Sequence, residues 1–564
     1  MVVWNNGPQS GERSSPETLG WAQKLINLVR QIIRREPVLL AFMGAALAAR
    51  IAFWGISNRM FEDGLTTITH ARNVVLGLGL VHHIGEGNVH GFTSALGVLI
   101  PLAGEVVKQG AGITAIRLAS LAAVCVALLY ARLICSDLGM RAFPTAFVLA
   151  YLAFDQNMIF YGMSGMETQV AVAILLGGVH HVRRNDLITS GIFLGLAPLV
   201  RPEFVLWVAP AFLYLGLRNR ARVAKTVTVA AAVVIPWIVF TFLYYGSPIP
   251  HTIIAKATIG RIPPILSGGS LLPWTEWLAV KVVGHTELLL RYVEPFYENW
   301  STVIAPIPSP FLVAVVVVVT DLVVIGLLAS RRISNFWPVP VFLALFVAYR
   351  IYLLPIDHYS DWYMPPFLAL LMIVAGLGLQ QVASRAPKLS TTLAVMIAIA
   401  FAVHMPFSFV VEAKVQAIEN QVPRQTAEYL KENMLPGQSV VTEGAGYIGF
   451  YDGNQKLYDY PGLASPTSVR ALQKLSLDQR NEEDMIAQLK PDWLVLRPWE
   501  LDALHQKFPN VAAMYTVEHV VELGGVPESD LNVRGNRTVS FAGLADVDIN
   551  EKYIILERTS PVGA

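Results

Sequence analysis

Residues 37–80 read PVLLAFMGAALAARIAFWGISNRMFEDGLTTITHARNVVLGLGL. The run from Pro37 to Ile56 is apolar, and about 20 such residues suffice to cross about 30 Å of hydrocarbon. A polar turn follows at once, placing Glu62 and Asp63 side by side before helical spacing sets in from Thr66 to Val75. Two adjacent carboxylates at a membrane interface are costly to bury. They either serve chemistry there or form a solvated cap for the next helix.

The same alternation of apolar run and polar turn extends through most of the chain. Of 564 residues 54% are hydrophobic and 15% charged, which describes a polytopic membrane protein rather than a string of soluble domains. Lys+Arg (42) and Asp+Glu (41) almost cancel, which argues against a strongly basic nucleic-acid-binding face, so no nucleic acid is expected as partner. Both cysteines, Cys125 and Cys135, lie in or beside one apolar stretch, and neither a disulfide framework nor a cysteine metal site can be built from them.

Twelve candidate segments fall near 38–57, 92–108, 112–134, 142–160, 166–182, 187–200, 203–217, 223–245, 307–330, 336–355, 362–383 and 390–411. The positive clusters at Arg183-Arg184, Arg218 to Lys225, Arg331-Arg332, and Arg385 with Lys388 mark cytoplasmic turns. Residues 1–37, with Arg30, Arg34 and Arg35 before the first run, read as a cytoplasmic segment entering a retained signal anchor. All twelve cannot cross on those assignments. The weakest, 92–108, is interrupted by Pro101, Gly104 and Glu105 and reads as half-embedded. Eleven crossings remain, with outer loops at 58–91 and 246–306 and the C-terminal region outside. This parity gathers Glu62-Asp63, Ser164 to Thr168, Arg201-Pro202-Glu203, His251 to Lys256 and Asp357 to Asp361 on one face.

Beyond the membrane domain, 38–412, the balance changes. Residues 413–564 hold 21 acids and 14 bases, against 20 and 28 in residues 1–412. The tail reads as a separate small α/β domain: helices over Thr426–Asn433, 468–475 and 480–489, and strands at Ser439–Thr442, Trp493–Leu496, Thr516–Glu522 and Tyr553–Leu556.

Among the polar motifs, Glu167 opens a helix, where the dipole favours a carboxylate. Arg201 and Glu203 are either an ion pair fixing a tight hairpin or a grip for phosphate, which suits the guanidinium fork. His251 and Lys256 offer positive charge to an anionic headgroup. Trp274, Trp277 and Trp300 mark the headgroup belt. The run Asp357-His358-Tyr359-Ser360-Asp361-Trp362-Tyr363 is either a loop or a sugar-facing wall. Gly444 to Gly449 matches G-x-G-x-x-G, but a turn and strand are expected over Phe450 to Asp459 in place of a long helix, so no dinucleotide is expected. His82, His83, His90 and the pair His180-His181 lack metal-type spacing.

The Glu62-Asp63 pair, Arg72-Asn73 and the glycine-rich stretch after it, Gly85-Glu86, Thr93-Ser94, the 164–168 motif, Arg201 to Glu203 and the soluble tail together resemble the GT-C glycosyltransferases. The first loop is most similar to the mycobacterial terminal arabinofuranosyltransferases and related bacterial proteins. The resemblance implies a bacterial inner-membrane enzyme with an outer active site. Its donor would be a polyprenyl-phosphate sugar, arabinofuranose or another pentose or hexose, and its acceptor a cell-envelope glycan or similar hydroxyl. The family's essential first-loop aspartate maps onto Asp63, with Glu62 beside it. On that basis the expected catalytic residues are Asp63 as base, Glu62 beside it, and Glu167 as a second carboxylate orienting the acceptor or helping hold a divalent cation, with Arg201, His251, Lys256 and Arg72 the expected donor-phosphate ligands. Asp357, His358, Asp361 and Tyr447 are the expected sugar or acceptor contacts, although Tyr447, Tyr451, Tyr458 and Tyr460 serve equally as core packing. No organic cofactor is expected. The alternative function is a lipid-linked glycan transporter, which would carry its charges at the bilayer midplane, or a non-catalytic assembly subunit.

Overall fold

The computed structural model describes residues 36–218, 220–259, 309–352, 361–451, 456–524, 531–534, 538–541, 546–548 and 552–559. The chain is a polytopic helical membrane protein with a small sheet-containing domain at its C-terminal end. The membrane domain is built from α1 (Pro37–Ser57), α2 (Glu62–Val75), α3 (Ala95–Val107), α4 (Gly112–Asp137), α5 (Ala142–Phe154), α6 (Gln156–Met163), α7 (Thr168–Arg184), α8 (Leu187–Val200), α9 (Val205–Arg218), α10 (Arg220–Tyr245), α11 (His251–Thr258), α12 (Ser309–Ser330), α13 (Pro338–Tyr352), α14 (Met364–Arg385) and α15 (Pro387–Gln421). Among the described residues α1, α4, Val223–Tyr245 of α10, and α14 are long and apolar enough to span a bilayer. Shorter apolar helices, α5 and α8 among them, pack between these.

One expected segment does not form as a single helix. The stretch 142–160 is cut at Asp155, whose carboxylate accepts from Met158 N at 2.9 Å and so starts α6 instead of letting α5 continue. The pair α6 and α7 is then bent by 116°. The bend passes through Gly165, whose φ of +96° is a conformation that glycine alone adopts without strain.

The segment 92–108, expected to be half-embedded, forms a 13-residue helix, about 20 Å long at 1.5 Å per residue. Ser94 caps its start. At its end Glu105 accepts from Gly110 N and Gly112 N at 2.6 and 2.9 Å. Val98 packs in a cluster with Ala71, and Ile100 beside Ile68, so α3 lies along α2.

The positive clusters share one end of the bundle. Arg132 meets Glu36 at 2.9 Å, Arg184 and His180 both reach Asp137, and Arg183 donates to Asn335 Oδ1 at 3.3 Å. Arg141 N donates to Gln380 Oε1, and Tyr214 touches Trp337. The start of α1 and the ends of α4, α7, α9 and α14 therefore lie together. Helix α14 runs buried through the core, meeting α12 where a Cβ on Gly378 would stand 1.9 Å from Leu322 O. Small residues at such crossings are what let backbones touch in lipid.

Helix α15 continues without a break through residue 413 into the tail and is followed by α16 (Pro423–Asn433). The tail's main sheet has strand order β2-β1-β3-β8-β4, with β1 (Ser439–Thr442), β2 (Lys456–Asp459), β3 (Trp493–Leu496), β4 (Tyr515–Glu522) and β8 (Lys552–Arg558). β1 is parallel to both neighbours, and β8 runs antiparallel between β3 and β4. Val440, Val495 and Ile555 face one core while Val441, Leu494 and Leu556 face the other, the two-residue period of a sheet covered on both sides. A second sheet, β5 (Leu531–Arg534), β6 (Thr538–Phe541) and β7 (Asp546–Asp548), was not foreseen. Between β1 and β2, where G-x-G-x-x-G stands, lies a seven-residue helix, α17 (Ala445–Tyr451). It is followed in the tail by α18 (Pro466–Gln473), α19 (Glu482–Leu489), α20 (Pro498–Lys507) and α21 (Pro509–Ala512).

Candidate active site

Asp63 lies in the first turn of α2 and is half-buried. That turn is pinned to the 164–167 bend: Phe61 N donates to Ser164 O at 2.8 Å, and Gly64 lies against the backbone of Ser164 and Gly165. Two residues after Gly165 stands Glu167, buried at the start of α7. Its Oε1 is 2.8 Å from Arg201 Nη2.

Arg201 owes its position to the residue that follows it. Proline disfavours a helical residue before it, and Arg201 leaves α8 extended, at φ −150° and ψ 115°. Pro202 to Phe204 then form a 3₁₀ turn. The guanidinium also donates to Thr168 Oγ1 at 3.0 Å and lies over the Tyr363 ring at 5.4 Å. Glu203 is buried beside it.

Burial pushes the Asp63 carboxyl above the ordinary aspartate range; the charges of Lys256 and Arg201 pull the other way, and Glu167 and Glu443 add to the rise. Lys256, on α11, also acts on Glu203, which burial likewise raises. Asp63, Glu167, Arg201, Glu203 and Lys256 thus form one electrostatic cluster at the bundle end opposite Asp137. Such an arrangement can hold an anionic leaving group while keeping a carboxylate ready for a proton.

Of the remaining expected residues, His251, Arg72, Tyr447 and Glu62 turn to other partners. His251 turns to the other side of α11, its N donating to His90 O at 2.9 Å and its ring facing Ser465, Glu86 and Arg470. Arg72 lies over the Phe450 ring at 4.4 Å and donates to Phe450 O. Tyr447 is buried, with its hydroxyl near Met60 O and Gln416, so it packs the domain junction and offers no face to a sugar. Glu62 turns toward the tail and accepts from Gly446 N at 3.1 Å. Asp357 and His358 lie outside the described residues, as does the side chain of Asp361, whose backbone opens the turn Asp361–Tyr363. Trp274, Trp277 and Trp300 are outside them as well.

Tyr363 and Thr168 were not singled out individually by sequence, although both stand in quoted motifs. Nothing in the spacing shows that residues 33 and 162 positions from Arg201 meet at one guanidinium. Among the described residues no three His, Cys, Asp or Glu side chains converge as a metal centre. Glu167, the expected partner of Asp63 around a divalent cation, is held by Arg201.

A family model described as a domain of unknown function, DUF8728, matches residues 412–542. No curated protein matches. Among solved structures, ArnT from Cupriavidus metallidurans bound to undecaprenyl phosphate is similar over 93% of this chain and 99% of its own, at 12% identity and a TM-score of 0.51. The apo oligosaccharyltransferase of Archaeoglobus fulgidus is similar over 83% of this chain and 70% of its own, at 12% identity and a TM-score of 0.49. The chain has the ArnT fold, which is the GT-C fold.

Proposed function

We propose that the protein is a membrane glycosyltransferase that moves a sugar from a polyprenyl-phosphate donor to a hydroxyl acceptor. The observation that carries this reading is the cluster of Asp63, Glu167, Arg201 and Lys256 at one end of a fold shared with a protein that binds undecaprenyl phosphate. A lipid-linked sugar phosphate presents its anomeric carbon at the membrane surface, where α2 begins.

Asp63 removes the proton of the acceptor hydroxyl as its oxygen attacks the anomeric carbon from the face opposite the phosphate, inverting that centre. The glycosyl C–O bond breaks toward the phosphate, whose developing charge Arg201 and Lys256 stabilise. Glu167 holds Arg201 in place and lies close enough to Asp63 to raise its proton affinity. The sugar is arabinofuranose or another pentose or hexose, and the acceptor a cell-envelope glycan. The site faces outward from a bacterial inner membrane, with residue 36 and the Arg132 end of α4 on the cytoplasmic side.

Purified protein in lipid nanodiscs, incubated with a panel of radiolabelled polyprenyl-phosphate sugars, tests this reading. Release of free polyprenyl phosphate together with labelled acceptor supports it. Donor binding or movement across a bilayer without release would indicate a transporter instead.

A further inference from the structure

Glu62 and Asp63 are adjacent in sequence but face different surroundings. Asp63 is acted on by Lys256 and Arg201. Glu62 faces the tail domain, where Glu443 after β1, Glu419 on α15 and the Tyr553 hydroxyl on β8 surround it together with Asp63. No cation is among these neighbours, and burial with like charges pushes its carboxyl up to about 8. Burial raises both carboxyls, but only Asp63 has cations, Lys256 and Arg201, pulling the other way.

The tail reaches this point through α17. Gly446 N donates to Glu62 Oε1, and no side chain fits at Gly446: a Cβ there would stand 2.3 Å from Glu62 O. The Tyr447 hydroxyl meets Met60 O at 3.2 Å, and Phe450 receives Arg72. Both ends of α2 are therefore held by one short helix from a domain nearly 400 residues away, as the separation of 384 between Glu62 and Gly446 states.

We infer, resting on the reading of Asp63 as base, that Glu62 and Gly446 are positioning residues through which the tail domain fixes the first turn of α2 and the reach of the Asp63 carboxylate. Glu62 then works as a neutral strut and not as a second proton-transfer group. A displacement of about 1 Å in such a turn costs up to about a hundredfold in rate.

The test uses the full chain in nanodiscs and compares wild type with Glu62→Gln, Glu62→Ala and Gly446→Ala. Backbone hydrogen exchange over residues 60–68 is read alongside kcat, donor KM and the pH–rate profile. Glu62→Ala and Gly446→Ala should speed exchange and lower kcat about tenfold or more, with donor KM within about twofold. Gly446→Ala should also move the acid limb of the profile to lower pH, because Asp63 gains water. Glu62→Gln keeps an acceptor for Gly446 N and should restore both exchange and kcat. Unchanged exchange in the Ala variants overturns the inference. So does faster exchange with an unchanged rate and acid limb, or Glu62→Gln as slow as Glu62→Ala. If wild type turns over no donor, the transferase reading falls, and exchange alone decides whether the tail holds α2.

Discussion

Arg201 and Glu167 meet at 2.8 Å with side chains only 4% and 6% exposed. Removing one partner of a buried ion pair leaves the other uncompensated, at a cost of about 3–5 kcal/mol. Arg201→Met should therefore lower the thermal midpoint sharply. The double variant Arg201→Met with Glu167→Gln should recover most of that stability while turnover stays at least about a hundredfold down, since a phosphate donor has lost its cation. Recovery of turnover in the double variant would remove Arg201 from leaving-group stabilisation.

Asp63→Asn preserves shape and removes the base. Transfer should fall by about 10²–10⁴-fold, with the protein still inserted and still binding undecaprenyl phosphate in a thermal-shift titration. Turnover within about threefold of wild type would exclude Asp63 as base.

Burial lowers His70 to about 3 and His90 to about 4. Both are held neutral when folded, so the unfolded chain binds more protons below the ordinary histidine value. The sign follows: the stability is present above pH 6.5 or so and is lost as pH falls toward 4, at up to about 1.4 kcal/mol per unit per group. Thermal midpoints measured from pH 7.5 to 4.5 should drop, and His90→Phe should flatten the slope. A steeper slope in that variant would contradict the assignment.

At the α12–α14 crossing, Gly378→Leu has nowhere to place its side chain beside Leu322 O. Overpacking costs about 1–3 kcal/mol and occasionally more. The variant should insert but unfold at lower temperature in detergent, measured by dye-binding melts, whereas Gly44→Leu, with nothing within 4 Å, should melt like wild type.

Apolar runs and flanking arginines made the membrane helices legible, because lipid leaves a backbone few alternatives. The same rule set 92–108 apart in the sequence, where Pro101 and Glu105 interrupt the apolar run that forms the 13-residue helix α3. Asp155 was missed for a local reason: inside an apolar stretch it reads as one polar residue, and only its bond to Met158 N shows that it starts a new helix. At the site, Asp63, Glu167, Arg201 and Lys256 were readable as charges stranded near an interface. Arg72 carried the same signal and Tyr447 that of an aromatic face for a sugar, yet their partners Phe450 and Met60 are hundreds of positions distant, and an arginine docked on a ring looks in sequence like an arginine awaiting phosphate.

Helix α8 has 14 residues, about 21 Å at 1.5 Å per residue, and shows Ile188 and Ile192 outward. A crossing helix this short is mismatched to a hydrocarbon layer of about 30 Å, a mismatch that bilayer thinning, snorkelling flanking residues or oligomerisation relieves. Arg201 stands at the end of that helix. On the proposed function, a bilayer thinned around α8 would lower the headgroup of a prenyl-phosphate donor toward Arg201 while its tail stays among the acyl chains.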